Sequence, residues 1–296
     1  MMAIRSVLTT QAQGGTLRWL ESGPTGSPTD VPKGSPIESP VGSPMGNASG
    51  GQTLVLLHGI GSDAQAWRAQ LEGFAPRHRV LAWNAPGYAG STPFPPAAHP
   101  ANPSCWARAL AAGLDGLGVE RCVLVGHSLG AVTATRFAVE NPHRVAKLVL
   151  SSPARGYGQP PGESLLPALQ ARVDDIATLG PAGMAARRAP RTLTPDATPA
   201  QIEAATAAMA RVSAQGYQDA VHLLAGAKLV ADLTRWQGDT DFIAADGDQI
   251  VPAEIVQAVA RTCPGAGLHL IHGAGHASYL QAPDQFNRIL ADVLAR

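Results

Sequence analysis

The stretch RCVLVGHSLG, residues 121–130, decides how the rest of the chain is interpreted. Its apolar part, residues 122–125, predicts a short buried β-strand, and the small residues that follow predict a helix. Between them, GHSLG sets a serine between two glycines, the pattern of a tight strand-to-helix turn that presents the serine hydroxyl. The glycines are needed because a side chain at either position would collide with neighbouring backbone. Ser128 is therefore the candidate nucleophile.

The composition narrows the classes of protein to consider. The chain has 296 residues, of which 45% are hydrophobic, so it can bury a substantial core in one large α/β domain or two smaller ones. Its 22 basic and 22 acidic residues give no electrostatic reason to expect a nucleic acid or an anionic membrane as partner. No stretch reaches the length of a membrane span, and the N-terminus lacks a signal-peptide pattern. We therefore expect a cytoplasmic protein.

The three cysteines, Cys105, Cys122 and Cys263, are widely separated and have no metal-ligand spacing. Cys122 falls in the predicted buried strand, so we expect reduced thiols that pack as small apolar side chains. The sequence accordingly predicts no bound metal and no cofactor, and it leaves the oligomeric state open.

Residues 24–50 differ in composition from the rest of the chain. Proline occupies every fourth position from Pro24 to Pro44, and Gly-Ser-Pro recurs at residues 26, 34 and 42, so the segment is an eight-residue tandem repeat. It has almost nothing to bury, and its prolines block both helices and sheet ladders. A polyproline helix has three residues per turn, so prolines four residues apart would point to different sides of it. This spacing therefore also disfavours a polyproline ligand. We expect a disordered insertion in the core.

The rest of the chain alternates between predicted strands and helices. Two strands, at residues 4–10 and 16–21, predict a hairpin joined at Gly14-Gly15, and Ser104 is a candidate cap for the first helix. Further strands are predicted at residues 53–57, 78–83, 122–125, 147–151, 241–245 and 268–272, and helices at residues 104–117, 129–140, 252–261 and 283–294. This alternation implies an α/β fold with a mostly parallel sheet covered by helices on both faces.

The strand pattern disappears between residues 153 and 236. Apolar residues at helical spacing span residues 165–176, and a short Ala-rich piece surrounds Met184. An all-helical insertion in an alternating α/β chain is typical of a lid. The predicted organisation is a core formed by residues 1–153 and 237–296, with a lid of residues 154–236 inserted after the strand that ends near Ser151.

A serine hydroxyl is a poor nucleophile at neutral pH, so it needs a general base, usually a histidine oriented by a carboxylate. Asp248 and His276 each lie just beyond a predicted strand, as Ser128 does. In a parallel sheet the carboxyl ends of the strands meet at one edge, so these three side chains are expected to lie together. Asp246 competes with Asp248 for the acid role, and a turn-forming role also suits it.

Four motifs in this order resemble those of the α/β-hydrolase superfamily. The similar segments are His58-Gly59 for the oxyanion loop, residues 126–130 for the nucleophile turn, residues 248–252 for the acid, and Gly275-His276 with Pro283 for the histidine. The resemblance covers nearly the whole chain outside the repeat. It favours Asp248 over Asp246, because the four-residue offset from Asp248 to Pro252 resembles the family spacing.

The resemblance implies a role for each of these residues. Ser128 would attack a carbonyl, His276 would take its proton and return it to the leaving group, and Asp248 would hold the imidazole in its working tautomer. The backbone N–H groups of Ile60 and Leu129 would hold the oxyanion.

The predicted lid contains the candidate substrate contacts. Residues 187, 188 and 191 are all arginine, and an arginine that faces the pocket could bind a substrate carboxylate with two hydrogen bonds. Residues 180–185 (GPAGMA) and Gly216-Tyr217 resemble the enol-lactonase and ring-fission hydrolase branches, which act on carboxylated products of aromatic catabolism. The candidate substrate-binding residues are Met184, Arg187, Arg188, Tyr217 and His222.

The sequence thus predicts a cofactor-free serine hydrolase that cleaves a small carboxylic ester or lactone through an acyl-enzyme intermediate. Hydrolytic carbon–carbon bond cleavage of a ring-fission product by the same triad remains an alternative. Against it, Ala277 follows His276 where carbon–carbon bond hydrolases often have tryptophan. A function from another class, an acyltransferase or a ligand receptor on a hydrolase fold, also stays open because pocket shape decides between them.

Overall fold

The computed structural model describes residues 3–11, 14–24, 51–96 and 99–296. The repeat predicted at residues 24–50 therefore lies, apart from Pro24, outside the described residues. Eight strands form one sheet within the described residues: β1 Arg5–Thr10, β2 Thr16–Ser22, β3 Thr53–Leu57, β4 Arg79–Trp83, β5 Cys122–His127, β6 Val145–Ser151, β7 Thr240–Ala245 and β8 Gly267–Ile271. Their order across the sheet is β1-β2-β4-β3-β5-β6-β7-β8.

The sheet is mostly parallel, as predicted. β1 and β2 form the antiparallel hairpin, β2 also runs antiparallel to β4, and each of the remaining neighbouring pairs is parallel. Parallel strands need crossover connections, and helices supply them here. The predicted α/β fold is thus confirmed.

β5 lies at the centre of the sheet, and all six of its residues are buried. Val125 pairs with Leu56 of β3 on one side and with Val149 of β6 on the other. Continuous apolar runs suit strands that are covered on both faces, which explains why β5 lacks the alternation of a half-exposed strand. The carboxyl ends of β3, β5, β7 and β8 consequently meet at one edge, where the candidate site lies.

Helices connect and cover these strands. The α-helices of the described residues are α1 Arg68–Phe74, α2 Pro103–Gly116, α3 Leu129–Glu140, α4 Pro167–Arg188, α5 Pro199–Ala210, α6 Ala214–Gly226, α7 Leu229–Leu233, α8 Ala253–Ala260, α9 Ser278–Gln281 and α10 Pro283–Leu294. Helix α2 packs against α3, and α1 against α10. None of the helices described is both long enough and apolar enough to cross a membrane.

Residues 154–236, which we call the lid segment, contain helices α4 to α7 and no strand. Helix α4 is kinked at Gly180, where φ is 66° and ψ is 176°, and Pro181 follows. The kink arises because proline lacks the N–H of a regular helical turn and glycine tolerates the positive φ. The two helical pieces expected around residues 165–176 and Met184 are the two halves of this one bent helix.

Two local expectations differ from the structure. Helix α2 is capped by Asn102 rather than Ser104: the Asn102 side chain accepts a hydrogen bond from Cys105 N at 3.1 Å, and Pro103 occupies the first helical position. Proline is favoured there because its missing N–H would be unpaired in any case. Helix α1 was not predicted, because its seven residues are too short for a clear helical period.

We expect deletion of residues 24–50 to leave kcat and KM nearly unchanged. Ser22 at the end of β2 pairs with Val80 of β4, and Thr53 at the start of β3 pairs with Arg79, so the two chain ends flank a single strand. Ser22 and Thr53 are thus two strand spacings apart, a distance of about 10 Å. The three residues that remain between them after the deletion can span it. This end of β3 is opposite to the end that leads to the candidate site.

The deletion is tested by steady-state kinetics on a chromogenic ester, with the thermal midpoint as a control for folding. A large change in kcat or KM without a loss of thermal stability would contradict the expectation.

Candidate active site

Ser128 occupies the turn between β5 and α3, with φ of 52° and ψ of −111°. Such a backbone is uncommon for a residue with a side chain and costs roughly 1–3 kcal/mol. Its N–H donates to Ser151 O at 3.0 Å and its carbonyl accepts from Ala154 N–H at 3.2 Å, which holds the turn. A Cβ at Gly130 would lie 2.1 Å from Leu57 O, so only glycine fits beside the serine.

His276 lies in the loop after β8, and Asp248 lies in the loop after β7. His276 Nδ1 is 2.8 Å from Asp248 Oδ2, and both side chains are buried. Because a carboxylate only accepts, the neutral imidazole carries its proton on Nδ1 and leaves Nε2 unprotonated. Ser128 and His276 line the same cavity. In the described part of the chain no hydrogen bond joins them directly, and such contacts often tighten only when substrate binds.

Backbone donors hold the Asp248 carboxylate. Its Oδ1 accepts from Ile250 N–H at 2.8 Å and from Val251 N–H at 2.9 Å. Burial alone would raise the pKa of Asp248, but the hydrogen bond and the charge of His276, together with the Val251 N–H, outweigh burial and lower the pKa below its usual value. Asp248 is therefore ionised at neutral pH and can orient His276.

Asp246 makes a different set of contacts. Its carboxylate lies 2.9 Å from His272 Nδ1 and accepts from Gly273 N–H at 2.8 Å, at an exposed position. Neither of these two contacts involves His276. The structure thus brings Asp248 to His276, whereas Asp246 joins its loop to the start of the loop after β8.

The backbone N–H groups of Ile60 and Leu129 are both free of protein acceptors within the described residues. Leu129 is the first residue of α3, so its N–H lies at the positive end of the helix dipole. The peptide that carries the Ile60 N–H is held at its other end, where Gly59 O accepts from Ser62 N–H at 3.2 Å, and Tyr88 OH donates to Ile60 O at 3.0 Å. Two unpaired donors next to the Ser128 turn provide a site where negative charge can develop.

His58 supports this loop from within the core. Its Nδ1 donates to Gly59 O at 2.8 Å and its Nε2 accepts from Ala85 N–H at 3.1 Å, so both ring nitrogens are used. Burial lowers the pKa of His58, and the ring stays neutral. These contacts make His58 a structural residue rather than a proton carrier.

His127 supports the loop after β8 that carries His276, which we call the histidine loop. The position of His127 in the sequence did not reveal this role. His127 Nε2 lies 2.9 Å from His276 O, and its ring packs between those of His276 and Tyr279, with centroids 4.6 and 4.8 Å away. Burial, followed by the neighbouring His276, lowers the pKa of His127 well below its usual value. A neutral His127 with its proton on Nε2 therefore donates to the His276 carbonyl.

A cavity of about 700 Å³ opens above Ser128, between the sheet edge and the lid segment. A volume of this size suits a small organic molecule. Ser128, His276 and Ile60 lie on its core side, while Met209 and Tyr217 of the lid segment contribute to the opposite wall. The described residues contain no group of three or more histidine, cysteine or acidic side chains arranged to hold a metal ion.

The charged residues that line the cavity are all arginines. They are Arg155, Arg172, Arg188 and Arg191, and the lining contributed by the described residues includes no aspartate or glutamate. Arg155 and Arg172 were missed in the sequence, because a single arginine in a loop or a helix carries no signal of the direction it faces. The cavity is therefore cationic.

The four arginines differ in their partners. Arg188 forms an ion pair with the buried carboxylate of Asp175, and Arg172 Nη1 donates to Tyr217 OH at 3.3 Å. Arg155 and Arg191 are exposed and form no ion pair within the described residues. The cavity thus has two arginines that are held by the protein and two that are available to a ligand.

The predicted substrate contacts divide in a similar way. Arg188 and Tyr217 line the cavity, whereas Met184, Arg187 and His222 do not. Met184 is fully buried within the lid segment. Arg187 is 65% exposed and pairs with Asp175 at 2.8 Å, and it faces away because consecutive helical residues are about 100° apart around the axis.

Comparison with known proteins gives the family. Residues 54–289 match the model of the alpha/beta hydrolase family. A 2-hydroxy-6-oxononadienedioate/2-hydroxy-6-oxononatrienedioate hydrolase from Burkholderia vietnamiensis is 28% identical over 84% of this chain and 88% of its own length.

Two solved structures share the fold. An esterase from Thermogutta terrifontis superposes with a TM-score of 0.79 at 22% identity, over 99% of this chain and 98% of that one. The enol-lactonase from Burkholderia xenovorans superposes with a TM-score of 0.77 at 19% identity, over 95% of this chain and 97% of that one. The family match spans most of the chain and includes the Ser128 turn, Asp248 and His276, and the chain therefore belongs to the alpha/beta hydrolase family.

Proposed function

We propose that this protein is a serine hydrolase that cleaves a small, anionic carboxylic ester or lactone through an acyl-enzyme intermediate. The observation that carries the proposal is the 2.8 Å contact between buried His276 and Asp248 at the same cavity as Ser128. A serine with an oriented imidazole at a small-molecule cavity is suited to acyl transfer.

In the proposed reaction, Ser128 Oγ attacks the substrate carbonyl while His276 Nε2 accepts the hydroxyl proton. The protonated imidazole is stabilised by Asp248, whose carboxylate is already bound to Nδ1. His276 then donates the proton to the leaving alcohol, which gives an acyl-Ser128 intermediate. Water attacks this ester in the second half of the reaction, with His276 again acting as base.

The Ile60 and Leu129 N–H groups are the proposed donors to the oxyanion. Both are unpaired in the described residues, so a developing negative charge would meet donors that need no rearrangement. The removal of one such donor typically costs about 3 kcal/mol of transition-state stabilisation. Side-chain substitution at either position leaves the N–H in place, so these donors are tested poorly by ordinary mutants.

The charge of the cavity supports an anionic substrate. Arg191 and Arg155 lack an acidic partner in the described residues, and no acidic side chain competes with a ligand for them. A carboxylate at the end of the substrate remote from the scissile bond would form charge-assisted hydrogen bonds with these guanidinium groups. The relative from Burkholderia vietnamiensis is named for a dioate substrate, which agrees with this class.

Hydrolytic carbon–carbon bond cleavage is the second candidate, and the name of that same relative favours it. It would use the same Ser128 and His276 on a vinylogous diketone. Against it stands Ala277, a small residue at a position that lines the cavity next to His276. Turnover of carboxylated aryl esters, lactones and ring-fission dienoates, measured side by side, decides between the two, and a preference for dienoates would replace the ester proposal.

Replacement of Ser128 by alanine is expected to lower ester turnover by at least about 10³-fold, because no other nucleophile replaces its Oγ. The measurement is initial rate on a chromogenic ester, and an unchanged thermal midpoint is the control for folding. Retained turnover by a folded S128A protein would exclude the mechanism.

The acid is tested by a matched pair of variants. Asp248→Asn is expected to lower kcat on the order of 10³- to 10⁴-fold, because an amide in place of the carboxylate favours the wrong tautomer of His276. Asp246→Asn breaks only an exposed contact with His272 and is expected to change kcat by less than about threefold. A larger loss in Asp246→Asn than in Asp248→Asn would reassign the acid.

The anionic substrate is tested with two aryl esters of equal length, a p-nitrophenyl hemisuccinate and a p-nitrophenyl butyrate. Arg191→Gln is expected to lower kcat/KM for the hemisuccinate about 10-fold, the effect of losing one charged hydrogen bond worth roughly 1.5 kcal/mol. The butyrate should be unaffected. Arg187→Gln is the control, since Arg187 lies outside the cavity. Equal losses on both esters would contradict a carboxylate contact.

A further inference from the structure

A short segment of the lid, Thr192-Leu193-Thr194, runs directly against the loop that carries His276. We call these three residues the strap. It follows α4 and precedes α5, so it belongs to the lid segment in sequence. Its buried residue, Leu193, belongs to the hydrophobic core that the lid segment shares with the sheet. The strap is therefore the place where the lid segment and the histidine loop form one packed unit.

The strap binds the histidine loop at the residue that follows His276. Thr192 O accepts a hydrogen bond from Ala277 N–H at 2.8 Å. Ala277 is the next residue after His276, so this contact fixes the peptide bond between His276 and Ala277. A shift of the strap would move that peptide with it.

Gln281 connects the strap to the residue that precedes His276. Its Oε1 accepts from Gly275 N–H at 2.9 Å and from Thr194 N–H at 3.1 Å, and its Nε2 donates to Thr194 Oγ1. Gly275 is the residue immediately before His276. One side chain thus joins the N–H of the residue before His276 to the strap.

The close approach of the two segments depends on Gly275. A Cβ at this position would lie 2.7 Å from the carbonyl carbon of Leu193 and 2.9 Å from Thr192 O. Because real side chains do not tolerate such distances, the strap and the loop can touch only where the loop has glycine. The strap also reaches the acid loop, since Thr194 Cγ2 lies against Gly247, the residue before Asp248.

We propose that Gln281 is a positioning residue for catalysis, which holds His276 in its working orientation by binding the strap and the histidine loop together. The proposal rests on the proposed role of His276 as general base. His276 has its side chain on Asp248 and its carbonyl on His127, and Gln281 and the strap fix the N–H groups on either side of it. The alignment of Nε2 with Ser128 depends on this backbone.

A purely structural role for Gln281 would affect the stability of the fold and leave the chemistry of the folded enzyme unchanged. A positioning role lowers kcat specifically, because Gln281 is not among the residues that line the cavity. A misplacement of about 1 Å in a catalytic group is sufficient to cost up to about 100-fold in rate. The two roles are therefore separable by kinetics.

The test is Gln281→Ala in the full chain, assayed on the p-nitrophenyl hemisuccinate. We expect kcat to fall about 10-fold or more with KM changed less than about twofold. The downfield NMR resonance of the His276 Nδ1 proton, which reports its bond to Asp248, should broaden or shift. This resonance is read without turnover, so it remains informative whatever the true substrate is.

The chain offers a matched control and a rescue variant. Gln285 also makes two hydrogen bonds to the same loop, at His272 N–H (3.2 Å) and His272 O (3.0 Å), without touching the strap. Gln285→Ala should therefore keep kcat and the Nδ1 resonance unchanged. Gln281→Glu keeps an acceptor for Gly275 and Thr194, so its kcat should return to within about threefold of the native value.

An Ala variant at Gln281 with native kcat and an unchanged Nδ1 resonance would overturn the proposal. Equal losses in Gln281→Ala and Gln285→Ala would also overturn it, since they would indicate general loosening of the loop. Failure of the triad itself is distinguishable, because it would appear as retained turnover in Ser128→Ala.

Discussion

The close packing of backbone around Ser128 is the constraint on which the site depends. The turn is forced into a positive φ, and its cost of roughly 1–3 kcal/mol is offset because β5 is buried along its whole length and α3 begins immediately after it. Hydrogen bonds to Ser151 and Ala154 then tie the strained residue to β6 and to the start of the lid segment. The position of the Ser128 side chain, the unpaired N–H of Leu129 and part of the cavity lining all follow from this single turn.

The lid segment is docked on the core by polar contacts as well as by packing. Arg211, at the end of α5, pairs with the fully buried carboxylate of Asp63, which also caps the short turn after the oxyanion loop. Backbone bonds at Ala89 and Ser213 join the same region to the loop after β4. A buried carboxylate is costly unless it is paired, so separation of the lid segment here would leave Asp63 without its charged partner. The lid therefore acts as a second wall of the site whose position is fixed relative to the oxyanion loop.

The core was predictable from the sequence and the lid contacts were not, for physical reasons that particular residues illustrate. Helices α3 and α10 begin and end where their patterns predict, because apolar periodicity, Pro142 shortly after α3 and Pro283 at the start of α10 are local signals. Asp248 and His276 could be located because strand ends in a parallel sheet share one edge. Arg187 and Arg188 are adjacent in sequence, yet only Arg188 lines the cavity, and which of the two faces it depends on how the helix is rotated about its axis against the core. No local pattern encodes that rotation.

The charges of the cavity act at short range. The chain has equal numbers of basic and acidic residues, so its net charge cannot attract an anion from a distance. At physiological salt the screening length is about 8 Å, so the arginines affect mainly a group that has already entered the cavity. Asp175 pairs with Arg188 within the lid segment, whereas Arg155, Arg172 and Arg191 have no acidic partner in the described residues and leave uncompensated charge at the cavity. Selection for an anionic substrate would then arise at the binding step in the cavity, and the chemistry of the core would be the same for a neutral ester.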